Sequence, residues 1–143
     1  MKKDDRLIFL LSTVQQAVKN HINKAFAKEG IRITVAQSGI LFLLKQKDRR
    51  MMSDLGKILG IENSGMTGLV DRLERSGFVT RVMDPEDRRS FLICATRAGL
   101  EEAERAKPII RRVNDAIKSG HSEHEIEMLK SILGEILGKF KGA

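Results

Sequence analysis

The sequence predicts a mainly α protein carrying one small β-hairpin, and three observations predict it. Apolar residues recur at helical spacing along much of the chain, beginning with Leu7, Leu11, Val14, Val18, Ile22 and Phe26. Residues that cap or stop helices punctuate the pattern at short intervals, among them Thr34, Gly60, Gly77 and Ser122. One stretch departs from it: in residues 78–95 two short runs suited to strands flank the charged sequence "DPEDRR".

Taken in order, the first helix covers residues 5–28 on the stripe just named, and Gly30 closes it as a C′ residue. Thr34 caps a second helix reaching Lys47, with Val35, Ile40, Leu41, Leu43 and Leu44 on its buried side. Ser53 caps a short third helix over 54–59, ended by Gly60. Asn63 or Ser64 caps a fourth, which runs to Ser76 with Gly77 at its end. Strands follow at 78–83 and 90–95, around a six-residue tip, Asp84 to Arg89. Thr96 caps a long helix, interrupted at Pro108, that reaches about Ser119. Ser122 with Glu125 forms a capping box for a last helix, whose stripe includes Ile126, Leu129, Ile132, Leu133, Ile136, Leu137 and Phe140.

A chain of 143 residues is one domain, or one compact domain with extensions, and is long enough to bury a core without disulfides or metal. With 41% hydrophobic and 31% charged residues it reads as globular, and no run of 18 apolar residues exists to span a membrane. Asp4 and Asp5 precede the apolar stretch of the first helix and no small-residue cleavage site follows, so that stretch is not read as a signal peptide. The single cysteine, Cys94, has no internal partner, which fits a reducing cytoplasm. A net charge of +7 points to an anionic partner, nucleic acid before a membrane surface.

A short helix, a tight turn and a second helix make a helix-turn-helix, and a hairpin directly after it makes a winged helix. Pro85 stiffens the tip and the strands hold it out, so Arg88 and Arg89 are placed to reach a phosphate backbone or a narrow minor groove. The plainer reading is that exposed hairpin tips are charged anyway; the position after a helix-turn-helix favours the functional one. The first and last helices carry apolar stripes, Leu7, Leu11 and Val14 in one and Ile126, Leu129, Leu133, Leu137 and Phe140 in the other, larger than one small lobe covers. A twofold helical bundle would cover both.

Three segments then carry a resemblance: "ITVAQSGILFLL", "MSDLGKILGIENSGMTGLVDRLERSGFVTRVMDPEDRRSFLICATRAG" and "SEHEIEMLKSIL". In this order, through essentially the whole chain, they resemble the MarR family of winged-helix transcription regulators. The resemblance implies a single domain over 1–143, with residues 31–96 as the DNA-reading lobe and residues 1–30 and 97–143 as a helical dimerisation region. It also implies an obligate homodimer on a roughly palindromic double-stranded operator, repression as the commoner mode, and a small-molecule effector pocket between the two regions. His21, Phe26 and Phe42 are the candidates for that pocket. The resemblance pairs the aspartate of "VDRL", Asp71, with the wing arginine Arg89, beside Asp87 at the tip, as a brace of the wing.

In the fourth helix Asn63, Ser64, Gly65, Thr67 and Gly68 form the face presented to base edges, while Met66, Leu69, Val70 and Leu73 form the core side. Many members of the family have an arginine where this chain has Gly68. Gly65 and Gly68 admit two readings, close backbone approach to DNA or a small-residue contact with a neighbouring helix. That helix is not basic: Arg72 and Arg75 stand against Glu62, Asp71 and Glu74. Phosphate contacts are therefore expected from Arg49, Arg50, Lys57, Arg72, Arg75 and Arg81 and from the wing. His121 and His124 lie among glutamates, but no third His or Cys is near, so no metal or other cofactor is expected. The peroxide-sensing branch of the family uses a cysteine in the first helix, which this chain lacks. No glycine-rich phosphate loop, activated nucleophile or paired carboxylates suggest an enzyme. The alternative to a DNA-binding regulator is a winged helix used for protein–protein contact.

Overall fold

The computed structural model describes residues 6–141; Asp4, Asp5 and the start of the first helix at residue 5 lie outside them. The elements are α1 (Arg6–Lys28), α2 (Val35–Gln46), β1 (Arg50–Met51), α3 (Met52–Leu59), α4 (Asn63–Arg75), β2 (Val79–Asp84), β3 (Asp87–Ala95), α5 (Arg97–Lys118) and α6 (Glu123–Phe140). The chain forms two compact units, one ending at Ile110 and one beginning at Arg111, with the boundary inside α5.

Local chemistry explains most boundaries. Thr34 caps α2: its hydroxyl accepts the Gln37 N–H at 3.3 Å, and the Gln37 side chain accepts the Thr34 N–H at 2.9 Å. Asn23 Oδ1 also accepts the Val35 N–H at 2.9 Å, tying α1 to the start of α2. Thr96 caps α5 by accepting the Gly99 N–H at 3.1 Å, and Ser122 with Glu125 forms the expected capping box. Gly30, Gly60 and Gly77 sit at positive φ at the ends of α1, α3 and α4.

Two expected caps are not used. Ser53 lies inside α3, which begins at Met52 because β1 delivers an extended Met51 straight into the helix. Asn63 and Ser64 lie in the first turn of α4, whose N-cap is the extended Glu62, and no side chain caps that end. Pro108 does not interrupt α5. An interior proline removes one N–H from the ladder, but buried Ala106 and Ile109 hold the helix in place on either side of it.

The sheet has the order β1-β3-β2, all antiparallel. β1 was hidden in the sequence because it is only two residues long, Arg50 and Met51 opposite Ile93 and Leu92. The hairpin is tighter than expected: β2 runs on to Asp84 and β3 starts at Asp87, leaving Pro85 and Glu86 as the turn. The register then slips. Met83 opposes Phe91 and Asp84 opposes Asp87, so Arg88, Arg89 and Ser90 fall in a bulge of β3. Asp87 holds that bulge, accepting the Arg89 N–H and the Ser90 hydroxyl at 3.1 Å each.

The core of the first unit joins α1 to α5 and the β2–β3 hairpin. Ile22 and Phe26 of α1, Ile40, Leu41 and Leu44 of α2, Leu55 of α3, Met66, Val70 and Leu73 of α4, and Phe78, Val79 and Ile93 of the hairpin are buried, with Ala103, Ala106 and Ile109 of α5. Each large side chain among them contributes about 1.5–3 kcal/mol of transfer free energy. The orientation of α4 relative to the hairpin is therefore fixed by packing. The α6 helix buries no residue.

Candidate nucleic-acid interface

The turn between α3 and α4 is built by close backbone approach. The Ile61 N–H donates to the Gly56 carbonyl at 2.9 Å, and a Cβ on Gly56 would lie 2.7 Å from the Ile61 carbonyl oxygen. Beyond it α4 divides into two faces. Met66, Val70 and Leu73 are buried, while Asn63, Ser64, Gly65 and Thr67 are exposed at its N-terminal end. The first-turn N–H groups carry no side-chain cap there, and neither Asn63 nor Ser64 has a side-chain hydrogen bond. That leaves a helix start with free donors and the positive end of its dipole facing solvent. The Thr67 hydroxyl is engaged locally, donating to the Asn63 carbonyl at 2.9 Å.

The two glycines of α4 separate. A Cβ on Gly65 would come within 3.1 Å of the Ile61 side chain, whereas one on Gly68 would meet nothing within 4 Å. Contact with a neighbour thus accounts for Gly65; no such contact exists at Gly68.

The wing brace differs from the expected one. Asp71 of α4 pairs with Arg81 of β2, not with Arg89. Arg81 Nε lies 3.8 Å from Glu74 as well. Strand geometry gives the reason: Arg81 is two residues on from the buried Val79 and so points to the same, helix-covered face. Arg89 lies beyond the reach of α4, in the bulge near the turn. Among the described residues neither the Arg88 nor the Arg89 guanidinium has an ion-pair partner, and both are exposed. Period-two alternation along β2 was the signal that could have identified Arg81 as the bracing residue.

The other predicted cations lie at the edges of this lobe. Arg49 adopts φ 58°, in the left-handed region, at the turn before β1, and Lys57 is exposed on α3. Arg50 is partly committed, its Nε donating to the Lys47 carbonyl at 2.9 Å. Asp48 accepts the Ala95 N–H at 3.0 Å and so fastens this turn to β3. Arg72 and Arg75 line an open groove of about 530 Å³, together with Arg32, Thr34, Gln37 and Ser76. Sequence reasoning missed Arg32 and Gln37, since neither has a pattern apart from its charge or polarity.

The residues expected at an effector site do not share one environment: Phe26 is fully buried, Phe42 half-buried and His21 exposed. Cys94 is half-buried on β3, and burial first, then the nearby Asp48 carboxylate, pushes its thiol pKa up, which disfavours the reactive thiolate. No group of three metal-ligating side chains occurs among the described residues. No described helix is long and apolar enough to cross a membrane.

An exposed, uncapped helix start and an unpaired pair of wing arginines, held on one packed core, define a winged helix-turn-helix lobe of the DNA-reading class. Residues 33–91 match the MarR family model. The transcriptional regulator MhqR of Bacillus subtilis (strain 168) is 27% identical over 135 residues, covering 94% of this chain and 92% of its own. The regulator YcgE of the same organism is 31% identical over 94 residues, and the chain spans only 60% of that relative's length. The solved structure of the transcriptional repressor CouR bound to a 23-mer DNA duplex superposes with a TM-score of 0.81 at 27% identity, covering 93% of each chain. The chain is thus similar to MarR-family transcriptional regulators, by the family model over its central lobe and by relatives and solved structures along most of its length.

Proposed function

We propose that this chain acts as a homodimer that binds a roughly palindromic double-stranded DNA site and represses transcription from it. The observation that carries the reading is the division of α4, with Met66, Val70 and Leu73 locked in the core and its polar N-terminal end open to solvent. A helix buried for structure alone would have that end capped or covered. Asn63 and Ser64 are then the base-reading residues, the first-turn N–H groups meet the adjacent phosphate, with Thr67 released from the Asn63 carbonyl to join them on binding, and Arg88 and Arg89 reach the flanking groove. Arg49, Arg50, Lys57, Arg72 and Arg75 add phosphate contacts around the lobe, and Arg81 serves the brace. The DNA-bound CouR neighbour supports this use of the lobe.

The dimer reading rests on the exposed apolar residues of α1 and α6, from Leu7 to Val14 and from Met128 to Phe140. The cytoplasm is the proposed compartment, and regulation rather than catalysis the proposed role. A small-molecule effector acting beside His21 and Phe42, over the buried Phe26, belongs to the same reading. Selection from a random duplex pool, followed by titration across a salt series, tests it. An enriched site with twofold symmetry and an affinity falling steeply with salt is expected. A winged helix used only for protein contact would enrich no sequence.

A further inference from the structure

The open groove between the start of α2 and the end of α4 collects three guanidinium groups from two separate segments, Arg32 before α2 and Arg72 and Arg75 on the last turns of α4. Arginines favour the end of a helix for its dipole alone, so their presence on α4 needs no ligand. Their surroundings do call for an explanation. No acidic side chain lines the groove. The carboxylates of the same helix, Asp71 and Glu74, are both turned to Arg81 on the wing side. Among the described residues Arg72 and Arg75 therefore have no ion-pair partner.

Arg32 is held in place from behind. Its guanidinium carbon lies 5.0 Å from the centre of the Phe78 ring, and its Nε lies 3.7 Å from Glu102 Oε2 on α5. Glu102 is only 4% exposed and already accepts from Arg105 at 2.7 Å, so it keeps a cationic partner if Arg32 turns away. Polar groups complete the wall. The Thr34 hydroxyl uses its oxygen to accept the Gln37 N–H and retains its proton for donation. The Gln37 amide oxygen accepts the Thr34 N–H, while its NH2 group makes only a long 3.5 Å bond to the Leu69 carbonyl, and the Ser76 hydroxyl is exposed.

Three guanidinium groups lining one groove, two of them without a counter-charge, with hydroxyl donors beside them, match the oxygens of a phosphate. We propose that this groove is a phosphate-binding seat, formed by Arg32, Arg72 and Arg75 with Thr34 and Ser76. A volume of about 530 Å³ admits a phosphate together with the group that carries it. The phosphate comes either from a phosphorylated small molecule or from a DNA backbone passing the end of α4. In both cases Arg32 is shared between the seat and Glu102, so occupancy draws on the contact between the α1–α2 connection and α5.

The test uses the full chain and sodium pyrophosphate, titrated calorimetrically at constant ionic strength in chloride, against wild type, Arg75→Gln, Arg32→Gln and a control outside the groove, Arg97→Gln. A random duplex is titrated in parallel, with circular dichroism to confirm folding. Saturable pyrophosphate binding, weakened about tenfold or more in Arg75→Gln and Arg32→Gln but not in Arg97→Gln, establishes the seat for a small phosphate ligand. Absence of pyrophosphate binding, with duplex affinity falling in both groove variants and a salt slope reduced by about one each, assigns the seat to the DNA backbone. Pyrophosphate binding that survives both groove substitutions, or no effect of them on either titration, overturns it. The pyrophosphate arm does not depend on sequence-specific DNA binding, so failure of the operator reading and failure of the seat are told apart.

Discussion

The winged lobe and the last helix dispose of their apolar residues in opposite ways. In the lobe, Leu41, Leu55, Met66 and Val70 are fully buried; in α6, Met128 is 51%, Leu137 59% and Phe140 77% exposed. Both segments have amphipathic patterns of similar clarity in the sequence. The difference teaches that a stripe shows which face will be buried but not by what. The lobe closes on itself because helices, turn and hairpin follow one another closely enough to share one core. In α6 only Ile126 and Ile136 of the stripe are half-buried and the rest stays exposed, as the proposed dimer would require.

The largest effect is expected where the surface of that dimer is removed. Wild type should scatter light as a particle of twice the 16.1 kDa chain mass at low micromolar concentration. A Leu133→Glu, Leu137→Glu variant should fall to a single-chain mass, since each large side chain contributes roughly 1.5–3 kcal/mol of burial and a buried carboxylate adds its desolvation cost. Retention of dimeric mass would mean that α6 is not the dimer surface. The lobe is broken instead at Gly99, where a Cβ would stand 2.0 Å from the Phe78 carbonyl oxygen. That carbonyl also accepts the Thr96 N–H at 3.0 Å, so neither backbone yields easily. Gly99→Ala should cost about 3 kcal/mol or more in urea unfolding, and a loss under 1 kcal/mol would show that α5 shifts freely on the lobe.

Within the lobe, braced and unbraced arginines should part company. Asp71→Ala and Arg81→Ala should each loosen the wing and weaken operator binding about tenfold, and the double variant should cost clearly less than the sum. Arg89→Ala should add to Asp71→Ala without coupling. Strong coupling between Asp71 and Arg89 would restore the brace the family resemblance implied. Arg88→Ala should weaken all duplexes about equally and lower the salt slope by roughly one unit. An unchanged affinity for both wing variants at physiological salt would leave the tip as a soluble turn.

Much of this was legible in the sequence because it is local chemistry. The capping boxes at Thr34 and Ser122, the stop at Gly77 and the split faces of α4 depend on residues within one or two turns of each other. What escaped depends on distant partners. β1 exists only because β3 offers it an edge, and two residues carry no periodicity. Arg81 rather than Arg89 meets Asp71 because the hairpin turns at Pro85 and Glu86 and slips its register at Asp84, which no count along the chain reveals. The groove with Arg32 arises from two segments, 32–37 and 72–76, that meet only in the folded lobe.

The smallest effect is the most discriminating for α4. A Cβ on Gly68 meets no atom within 4 Å. The folded lobe therefore gives no packing reason for glycine, which costs a helix interior about 1 kcal/mol relative to alanine. Gly68→Ala should stabilise the chain by about that amount in thermal or urea unfolding. Gly65→Ala should gain less, because its Cβ presses on Ile61 at 3.1 Å. If the backbone at Gly68 approaches DNA closely, the same Gly68→Ala variant should bind operator more weakly despite its greater stability. Stability and affinity moving in opposite directions would place the glycine at the DNA surface. Affinity unchanged or improved would remove close approach as its reason, leaving this position without a contact on either side.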